Sequence, residues 1–400
     1  MRGESILISI RGKDTPGITS RLTAILAGDS RVRLLDIEQM VVHKKLILSI
    51  LIGFSRKNHD NTPLLKELLF AANKLGVEIG FEVFDPAFLG GDGVVSEYVI
   101  TCLGEVIQAS HLSAISKILA ANHVNIDKIS KLTLEHIKAI EFLAHAKKRI
   151  DVKKLSKKLL SLSGKLQMDI AVQKQINVRR AKRVVVMDMD STLIQSEVIE
   201  ELANLAGVLK NVEKITREAM EGNIPFVQSL RKRVSLLKGI RERDFEKIYR
   251  RLRLTPGAVR LIGVLKKLGY KIALVSGGFS YFTDRFHKKL GLDYSFSNRL
   301  EIKEGRVTGK LIGPIVDSKR KAEILMDIAR AEKISPDQVI AIGDGANDIP
   351  MLIRAGLGVA FQAKPKVREK ARYSLSHSKS LDSILYLLGI SEKEIKQLGH

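Results

Sequence analysis

Three apolar runs, each followed at once by acidic, hydroxyl or glycine residues, constrain the fold of the second half of the chain. Helix-like segments separate the runs, and strands that alternate with helices are typical of a doubly wound parallel sheet. Ligands bind at the carboxyl ends of the strands in such sheets, so we expect the polar motifs to meet in one site. The runs at 184–187, 272–274 and 339–342 lead into Asp188-Met189-Asp190-Ser191-Thr192, Val275-Ser276-Gly277-Gly278 and Gly343-Asp344-Gly345-Ala346-Asn347-Asp348.

The acidic pair Asp188 and Asp190 indicates the chemistry of this site. Both carboxylates follow a strand that is predicted to be buried, and burying them is costly unless a cation compensates their charge. We interpret the pair as part of a metal-assisted site in which one aspartate is a nucleophile. The alternative is that these acids are solvated loop residues, and the recurrence of polar motifs at three strand ends argues against it.

Four features of the chain resemble, in order, the four motifs of the haloacid dehalogenase superfamily of phosphotransferases. They are the Asp188 motif, the Ser276 motif, Lys321 in a later helical segment and the Asp344 motif. The resemblance implies that Asp188 attacks phosphorus to form an aspartyl phosphate and that Asp190 acts first as general acid and then as general base. It also implies Mg²⁺ as cofactor, bound by Asp188, Asp344 and the backbone carbonyl of Asp190, with Asp348 orienting these ligands or water.

The same resemblance assigns phosphate binding to the second and third motifs. Ser276 and the amides of Gly277 and Gly278 would cradle the phosphate at a helix start, although the two glycines could also serve only a tight turn. Lys321 would offset charge on the phosphoryl oxygens. Its neighbours Lys319 and Arg320 are alternatives for that role, and the spacing of Lys321 fits the family best.

The first part of the chain contains an internal repeat of β-α-β-β-α-β segments, the ferredoxin-like arrangement. In the first copy, Asp14-Thr15-Pro16-Gly17 leads into a helix and resembles the ACT domain, a regulatory module that often binds amino acids. The second copy has residues 105–109 in place of the Pro-Gly turn, which puts ligand binding there in doubt. We predict ACT-like domains at 1–90 and 91–178 and a haloacid dehalogenase-like α/β domain at 179–400, and we hypothesise a homodimer with serine as effector. The alternative is a dimerisation module that binds no ligand.

Two insertions interrupt the predicted parallel sheet. Residues 196–255 have helical periodicity and are too long for a simple connection. We expect them to form a helical cap that excludes water from the site. Residues 300–313 are predicted to form a hairpin around Glu304-Gly305.

The cap and the motifs together resemble those of phosphoserine phosphatases over residues 183–388. This resemblance implies hydrolysis of O-phospho-L-serine, the last step of serine biosynthesis. Glu197 would receive the substrate ammonium and Arg233 would bind its carboxylate bidentately. Met220 and Phe226 would shield the site from solvent, and Asn347 is a further candidate for substrate binding.

The composition excludes several other classes of protein. The single cysteine, Cys102, excludes an intramolecular disulfide and fits a reducing cytoplasm. The chain lacks a secretory h-region at its start and an apolar stretch of membrane-spanning length. A net charge of +23 would allow nucleic-acid binding, but the chain has no tryptophan and no aromatic-interleaved basic motif. We therefore expect a cytoplasmic enzyme that acts on a small phosphomonoester, with no nucleic-acid or membrane partner.

Two alternatives to phosphoserine hydrolysis remain open from the residues. The first is an enzyme of the same fold that acts on a related phosphomonoester such as phosphohomoserine. The second is an amino-acid-sensing or nucleic-acid-binding protein with an inactive hydrolase-like domain, which the presence of every required acid, Ser276 and Lys321 argues against. A histidine-based metallohydrolase is disfavoured because the nine histidines show no metal-binding spacing.

Overall fold

The structure is a computed structural model that describes residues 5–54, 61–85, 96–136, 138–174, 181–220 and 223–399, with the backbone alone at Met220. The predicted domain boundaries near 90 and 178 fall outside these ranges. The chain divides into two compact units, residues 1–94 and 95–400. None of the described helices is long and apolar enough to cross a membrane.

The described residues of the first unit, which we call the first repeat, form a β-α-β-β-α-β domain. Its four-stranded antiparallel sheet has the order β2-β3-β1-β4, and Ile8, Ile50, Leu22 and Leu68 meet in its core. Gly17 has a φ of 98° at the start of the first helix, a backbone conformation that glycine adopts without strain. The elements are β1 (Ser5–Lys13), α1 (Ile18–Gly28), β2 (Val32–Val42), β3 (Lys45–Phe54), α2 (Thr62–Leu75) and β4 (Val77–Phe84).

The second repeat, residues 96–174, has the same element order and the sheet order β6-β7-β5-β8 among its described residues. At its first helix, Gln108 and His111 form a reciprocal capping box in place of the Pro-Gly turn. The elements are β5 (Ser96–Leu103), α3 (Ala109–Ala120), β6 (Asn125–Lys131), β7 (Ala139–Ala146), α4 (Val152–Leu166) and β8 (Asp169–Lys174).

The C-terminal domain, residues 181–399, is built on a sheet with the order β12-β11-β10-β9-β13-β14-β15 in the described part of the chain. β9 pairs in parallel with both β10 and β13 and is therefore central. Alternate residues of β9 point to opposite faces, so Val185 and Met187 enter one core and Val184 and Val186 the other. The strands are β9 (Val184–Met187), β10 (Lys271–Phe279), β11 (Tyr294–Lys303), β12 (Arg306–Ile312), β13 (Val339–Gly343), β14 (Leu357–Phe361) and β15 (Tyr373–Leu375).

Helices cover both faces of this sheet, as expected for a doubly wound fold. The helices are α5 (Val198–Leu205), α6 (Leu209–Met220), α7 (Phe226–Ser235), α8 (Phe245–Arg251), α9 (Ala258–Lys267), α10 (Ser280–Leu290), α11 (Ser318–Ala331), α12 (Ile349–Arg354), α13 (Pro365–Lys370), α14 (Ile384–Leu387) and α15 (Glu392–Gln397). The predicted fold class is confirmed: a parallel α/β core follows two ferredoxin-like domains.

The cap and the hairpin, which the sequence predicted separately, are joined in the structure. α5 to α8 form the inserted cap, and β11 and β12 form the hairpin around Glu304 and Gly305. The amide of Gly239 donates to the Val307 carbonyl at 2.8 Å, and the Val307 amide donates to Ile240 at 2.9 Å. These backbone hydrogen bonds attach the end of α7 to the hairpin strand β12.

The second repeat packs directly against the C-terminal domain. Leu103, Ala139 and Ala171 belong to the same apolar core as one face of the C-terminal sheet. The buried carboxylate of Asp169 accepts hydrogen bonds of 2.8–3.2 Å from the successive amides of Ser376, His377 and Ser378. A buried carboxylate is therefore satisfied by backbone groups that lie about two hundred residues further along the chain.

Candidate active site

Asp188 lies immediately beyond the end of the central strand β9. Its amide donates to the Ile342 carbonyl of β13 at 3.0 Å, which fixes the backbone beside the next strand. One carboxylate oxygen accepts from the Met189 amide at 2.7 Å, and the other lies 2.7 Å from Nζ of Lys321. The chain then turns sharply through residues 189–193, with Ser191 at a φ of 52°. This turn brings both Asp188 and Asp190 to the same end of the sheet.

Burial separates Lys321 from its two basic neighbours. Lys321 is fully buried on α11, where its ammonium group also donates to Asp348 at 2.8 Å. Lys319 and Arg320 instead face solvent and pair with Glu323. Burial alone would lower the pKa of Lys321, but Asp188 and Asp348 raise it above its usual range. Lys321 is therefore charged and bridges two buried carboxylates.

Asp188, Asp344 and Asp348 offer carboxylate oxygens that all lie within 4.8 Å of one another. Burial, followed by the nearby Asp348, raises the pKa of Asp344 to about 7. Burial and Asp348 likewise raise the pKa of Asp188, while Lys321 opposes them. Oxygen ligands of this kind suit a hard divalent cation such as Mg²⁺, and a cation would offset the mutual repulsion of the acids. The residues present therefore fit a site for a divalent metal ion.

Both carboxylate oxygens of Asp348 accept hydrogen bonds, as both oxygens of Asp188 have partners. One oxygen of Asp348 accepts from Lys321, and the other accepts from the Gly345 amide at 3.0 Å. Thr192 donates to Asp344 at 2.9 Å across the gap between the first and fourth motifs. These contacts fix the relative positions of the two strand ends.

Asp190 faces away from this carboxylate group, towards the cap. Its carboxylate accepts from the Val198 amide at the start of α5 at 2.9 Å and from Ser276 at 3.3 Å. Burial and the neighbouring Glu197 raise the pKa of Asp190 to about 8. This raised pKa favours the protonated side chain, which suits a group that donates a proton within the site.

The second motif lies at the end of a strand, directly before a helix. β10 continues to Phe279 and α10 begins at Ser280. Ser276 is fully buried and its hydroxyl accepts from the Gly278 amide at 2.8 Å. A Cβ atom on Gly278 would lie 2.7 Å from a carboxylate oxygen of Asp190. Glycine is required here because backbone and carboxylate approach so closely.

A cavity of about 100 Å³ lies between the strand ends and the cap. Asp188, Asp190 and Asp344 line it from the sheet, and Glu197, Phe226 and Arg233 line it from the cap side. Gly277, Gly278 and Asn347 also line it, whereas the side chain of Met220 lies outside the described part of the chain.

Arg233 is the buried member of a basic run on α7. Arg231 and Lys232 are exposed, while Arg233 is only 9% exposed. Its guanidinium donates to the Ser229 carbonyl at 3.4 Å and to the Thr216 hydroxyl of α6 at 3.3 Å. Glu197 accepts from Ser191 at 2.8 Å. The cavity thus has a cation and an anion on its cap side, opposite the aspartates.

The structure adds residues that sequence reasoning missed. Ile199, Leu230 and Phe279 form apolar parts of the cavity wall. Asn298 accepts from the Val316 amide and donates to the Gly277 carbonyl, both at 2.8 Å, and so supports the second motif. Nothing in the local pattern marks Asn298, because its partners lie on other elements.

Three parts of the chain match known families. Residues 4–82 and 96–173 each match the ACT domain. Residues 182–356 match the haloacid dehalogenase-like hydrolases. The predicted resemblances are therefore confirmed for both repeats and for the C-terminal domain.

Relatives extend over nearly the whole chain. A phosphoserine phosphatase from Streptomyces coelicolor is 41% identical over 98% of this chain and 94% of its own length, and one from Mycobacterium tuberculosis is 38% identical over 98% and 95%. A crystal structure of a haloacid dehalogenase family hydrolase from Salmonella enterica serovar Typhi is 30% identical, with a TM-score of 0.61 over 73% of this chain and 98% of its own. On this full-length similarity, the chain belongs to the phosphoserine phosphatase family of haloacid dehalogenase-like hydrolases.

Proposed function

We propose that this chain hydrolyses O-phospho-L-serine to L-serine and phosphate, the last step of serine biosynthesis. The observation that carries the proposal is the distribution of charge around one cavity. Asp188 and Asp190 face it from the sheet, and Glu197 and Arg233 face it from the cap. Phosphoserine bears a phosphate, an ammonium and a carboxylate, and these residues can act on the first and bind the other two.

In the first half of the reaction, the carboxylate of Asp188 attacks phosphorus and the bond from phosphorus to the serine oxygen breaks. Lys321, 2.7 Å from Asp188, favours the ionised nucleophile and offsets charge on the phosphoryl group. Asp190 gives its proton to the leaving serine oxygen, and its pKa of about 8 suits that role at neutral pH. The products of this half are serine and an aspartyl phosphate on Asp188.

In the second half, Asp190 is ionised and takes a proton from water. That water attacks the phosphorus of the aspartyl phosphate, which releases inorganic phosphate and restores Asp188. The amides of Gly277 and Gly278 and the side chain of Asn347 line the cavity where the phosphate would lie. Ser276 supports them from behind through the Gly278 amide.

A bound Mg²⁺ would neutralise phosphate charge and hold the phosphate in line with Asp188. Asp188, Asp344 and the backbone carbonyl of Asp190 are the proposed ligands. Asp348 is the proposed positioning residue, because its two oxygens hold Lys321 and the Gly345 amide in place beside the proposed ligands. Phe226 and the other cap residues would exclude water from the closed site.

We further propose that the first repeat binds serine as an effector and that the protein acts in the cytoplasm. The turn at residues 14–17 supports effector binding, because it is the part of the first repeat that resembles ligand-binding ACT domains. Calorimetric titration of serine into the full chain should show binding to the wild type. It should also show binding to the Arg233→Ala variant, in which the first repeat is unchanged. Binding that Arg233→Ala abolishes would assign serine to the active site alone.

The first experiment is phosphate release from L-phosphoserine with Mg²⁺ and with EDTA, for the wild type and for Asp188→Asn. We expect Mg²⁺-dependent release that the substitution abolishes, because an amide cannot replace the nucleophilic carboxylate. Phosphohomoserine is assayed in parallel, and a higher kcat/KM on it would replace the proposed substrate. Failure to release phosphate from any monoester would refute the enzymatic proposal.

A further inference from the structure

A second and larger cavity, of about 730 Å³, lies between the second repeat and the C-terminal domain. We call it the interdomain cleft. One wall comes from α4 and β8, and the other comes from Lys182, Gly356 and the segment 368–374. Among the described residues, the cleft shares none with the active-site cavity. Its size is within the range of sites that bind small organic ligands, about 300–1,000 Å³.

The interdomain cleft is strongly basic. Asp337 and Glu369 are the acidic residues among those that line it. In the described part of the chain, none of the basic residues of the cleft lies within ion-pair distance of a carboxylate. A concave site lined by charges of one sign raises the local concentration of counter-ions, so this cleft favours the binding of an anion. The basic residues are Lys153, Lys157, Lys174, Lys182, Arg368, Lys370 and Arg372.

Two of these cations are partly withdrawn from water. Lys182 is only 5% exposed and its ammonium donates to the backbone carbonyl of Asp337. Burial lowers the pKa of Lys182 to about 8; the nearby Asp337 opposes this effect and Arg372 adds to it. The Nε–H group of Arg368 is buried without a hydrogen-bond partner among the described residues. Among the described residues neither cation has a carboxylate partner within ion-pair distance, and a bound anion would offset the cost of burying part of its charge.

The wall from α4 and β8 also has apolar residues among its basic ones. Ile170, Val172 and Leu160 contribute to it, and Tyr373 lies at the same cavity. A ligand that fits would therefore carry several negative charges and could also have a less polar part. Arginine and lysine side chains together favour phosphate groups, because guanidinium groups bind phosphate oxygens bidentately and lysine adds a point charge.

We propose that the interdomain cleft binds a phosphorylated small molecule that carries two or more negative charges. The ligand would bridge α4 of the second repeat and the segment 368–374 of the C-terminal domain. The site would thus lie between a regulatory-type domain and the domain that holds the candidate active site. Such a site would also account for part of the net charge of +23, which a small-molecule hydrolase does not require.

The test is calorimetric titration of the full chain with ATP and, separately, with tripolyphosphate, without divalent cations. The double variant Lys157→Glu, Arg372→Glu removes two exposed cations from the cleft. The matched control is Lys154→Glu, Lys366→Glu, which makes the same change of charge on exposed residues of α4 and α13 that do not line the cleft. We expect the cleft variant to weaken ATP binding by about tenfold or more and the control by less than about twofold.

Further titrations distinguish binding at the cleft from binding at the active site. They also identify the part of the ligand that the protein recognises. Arg233→Ala should bind ATP as the wild type does, because Arg233 lies at the other cavity. Equal affinity for tripolyphosphate and ATP would support recognition of the phosphates alone. Tighter binding of ATP would support contact between its nucleoside and the apolar residues of the cleft. The proposal is overturned if neither ligand binds the wild type at about 1 mM. It is also overturned if both double variants lose equal affinity, or if Arg233→Ala abolishes binding.

Discussion

Burial distinguishes Arg233 and Lys321 from the basic residues beside them in the chain. Arg231 and Lys232 are exposed, as are Lys319 and much of Arg320, so these side chains interact mainly with water. A buried cation must be paired, and it acts strongly on the groups it faces because little water screens the interaction. The two buried residues are therefore the ones on which selectivity and charge compensation should depend.

Arg233→Ala should reduce selectivity for substrates that carry a carboxylate. We expect kcat/KM for phosphoserine to fall about 10- to 100-fold, since a hydrogen bond between charged groups contributes about 1.5–3 kcal/mol. The kcat/KM for p-nitrophenyl phosphate, which has no carboxylate, should change little. Arg231→Ala is the matched control and should behave as the wild type. Equal losses on both substrates would exclude a carboxylate-binding role for Arg233.

Lys321→Met should impair both stability and catalysis. Removing one partner of a buried ion pair leaves carboxylates uncompensated, so we expect the free energy of unfolding to fall by about 3–5 kcal/mol. We expect kcat to fall about 10²- to 10³-fold, as when a preorganised donor is removed from an active site. Urea denaturation and steady-state kinetics measure the two effects. Lys319→Met, on the exposed turn of the same helix, should change neither, and a loss there of similar size would contradict the argument.

The ends of the strands are the elements that hold the site together. β9, β10 and β13 are adjacent in the sheet, so motifs separated by up to 160 residues meet at one edge. Close packing at this edge leaves little space for added atoms. The second motif shows this most clearly, because the backbone of Gly278 lies against the carboxylate of Asp190.

Gly278→Ala should therefore displace the carboxylate of Asp190. The new Cβ would lie 2.7 Å from an Asp190 oxygen and 3.0 Å from the Ser276 hydroxyl. We expect kcat to fall about 10²-fold, since a displacement of about 1 Å in an active site has an effect of that size. Gly80→Ala, in strand β4 with no atom within 4 Å of the added group, is the control. Wild-type kcat in Gly278→Ala would show that the contact relaxes without cost.

For the whole molecule, Asp169 connects the second repeat to the C-terminal domain. In the wild type, the Ser378 amide donates to one carboxylate oxygen of Asp169 at 2.9 Å. In Asp169→Asn, an NH₂ group replaces that oxygen and cannot accept this hydrogen bond. A buried unsatisfied group costs about 1–3 kcal/mol, and we expect the free energy of unfolding to fall by that amount in urea titrations. Asp127→Asn, which changes an exposed partner of His145, is the control. Equal stability of the two variants would show that Asp169 does not contribute to domain packing.

The proposed homodimer is also a property of the whole molecule. Strand β2 lies at the edge of the first sheet and exposes Leu34, Met40 and Val41. An exposed apolar edge strand is a surface suited to pairing with a second copy. We expect light scattering to give twice the chain mass of 44.4 kDa for the wild type and the single mass for Met40→Lys. Phe70→Lys, which changes an exposed apolar residue of α2, should remain dimeric, and a monomeric wild type would exclude this interface.

The sequence by itself determined the fold class and the order of the elements. Both repeats, the helical cap and the hairpin follow from local periodicity and turn residues, which act over a few neighbouring positions. The positions of Asp188, Asp190 and Asp344 after strands also followed from the pattern, since the carboxyl ends of parallel strands meet at one edge. Their catalytic roles remain predictions.

Only the tertiary structure decided which residues of each motif are buried and what they contact. Lys321 is distinguished from Lys319 by Asp188 and Asp348, which approach it from other elements. The continuation of β10 through Ser276, the packing of the second repeat on the C-terminal domain and the interdomain cleft likewise depend on residues far apart in the chain. Burial and charge compensation are properties of the packed molecule, so a local pattern does not contain them.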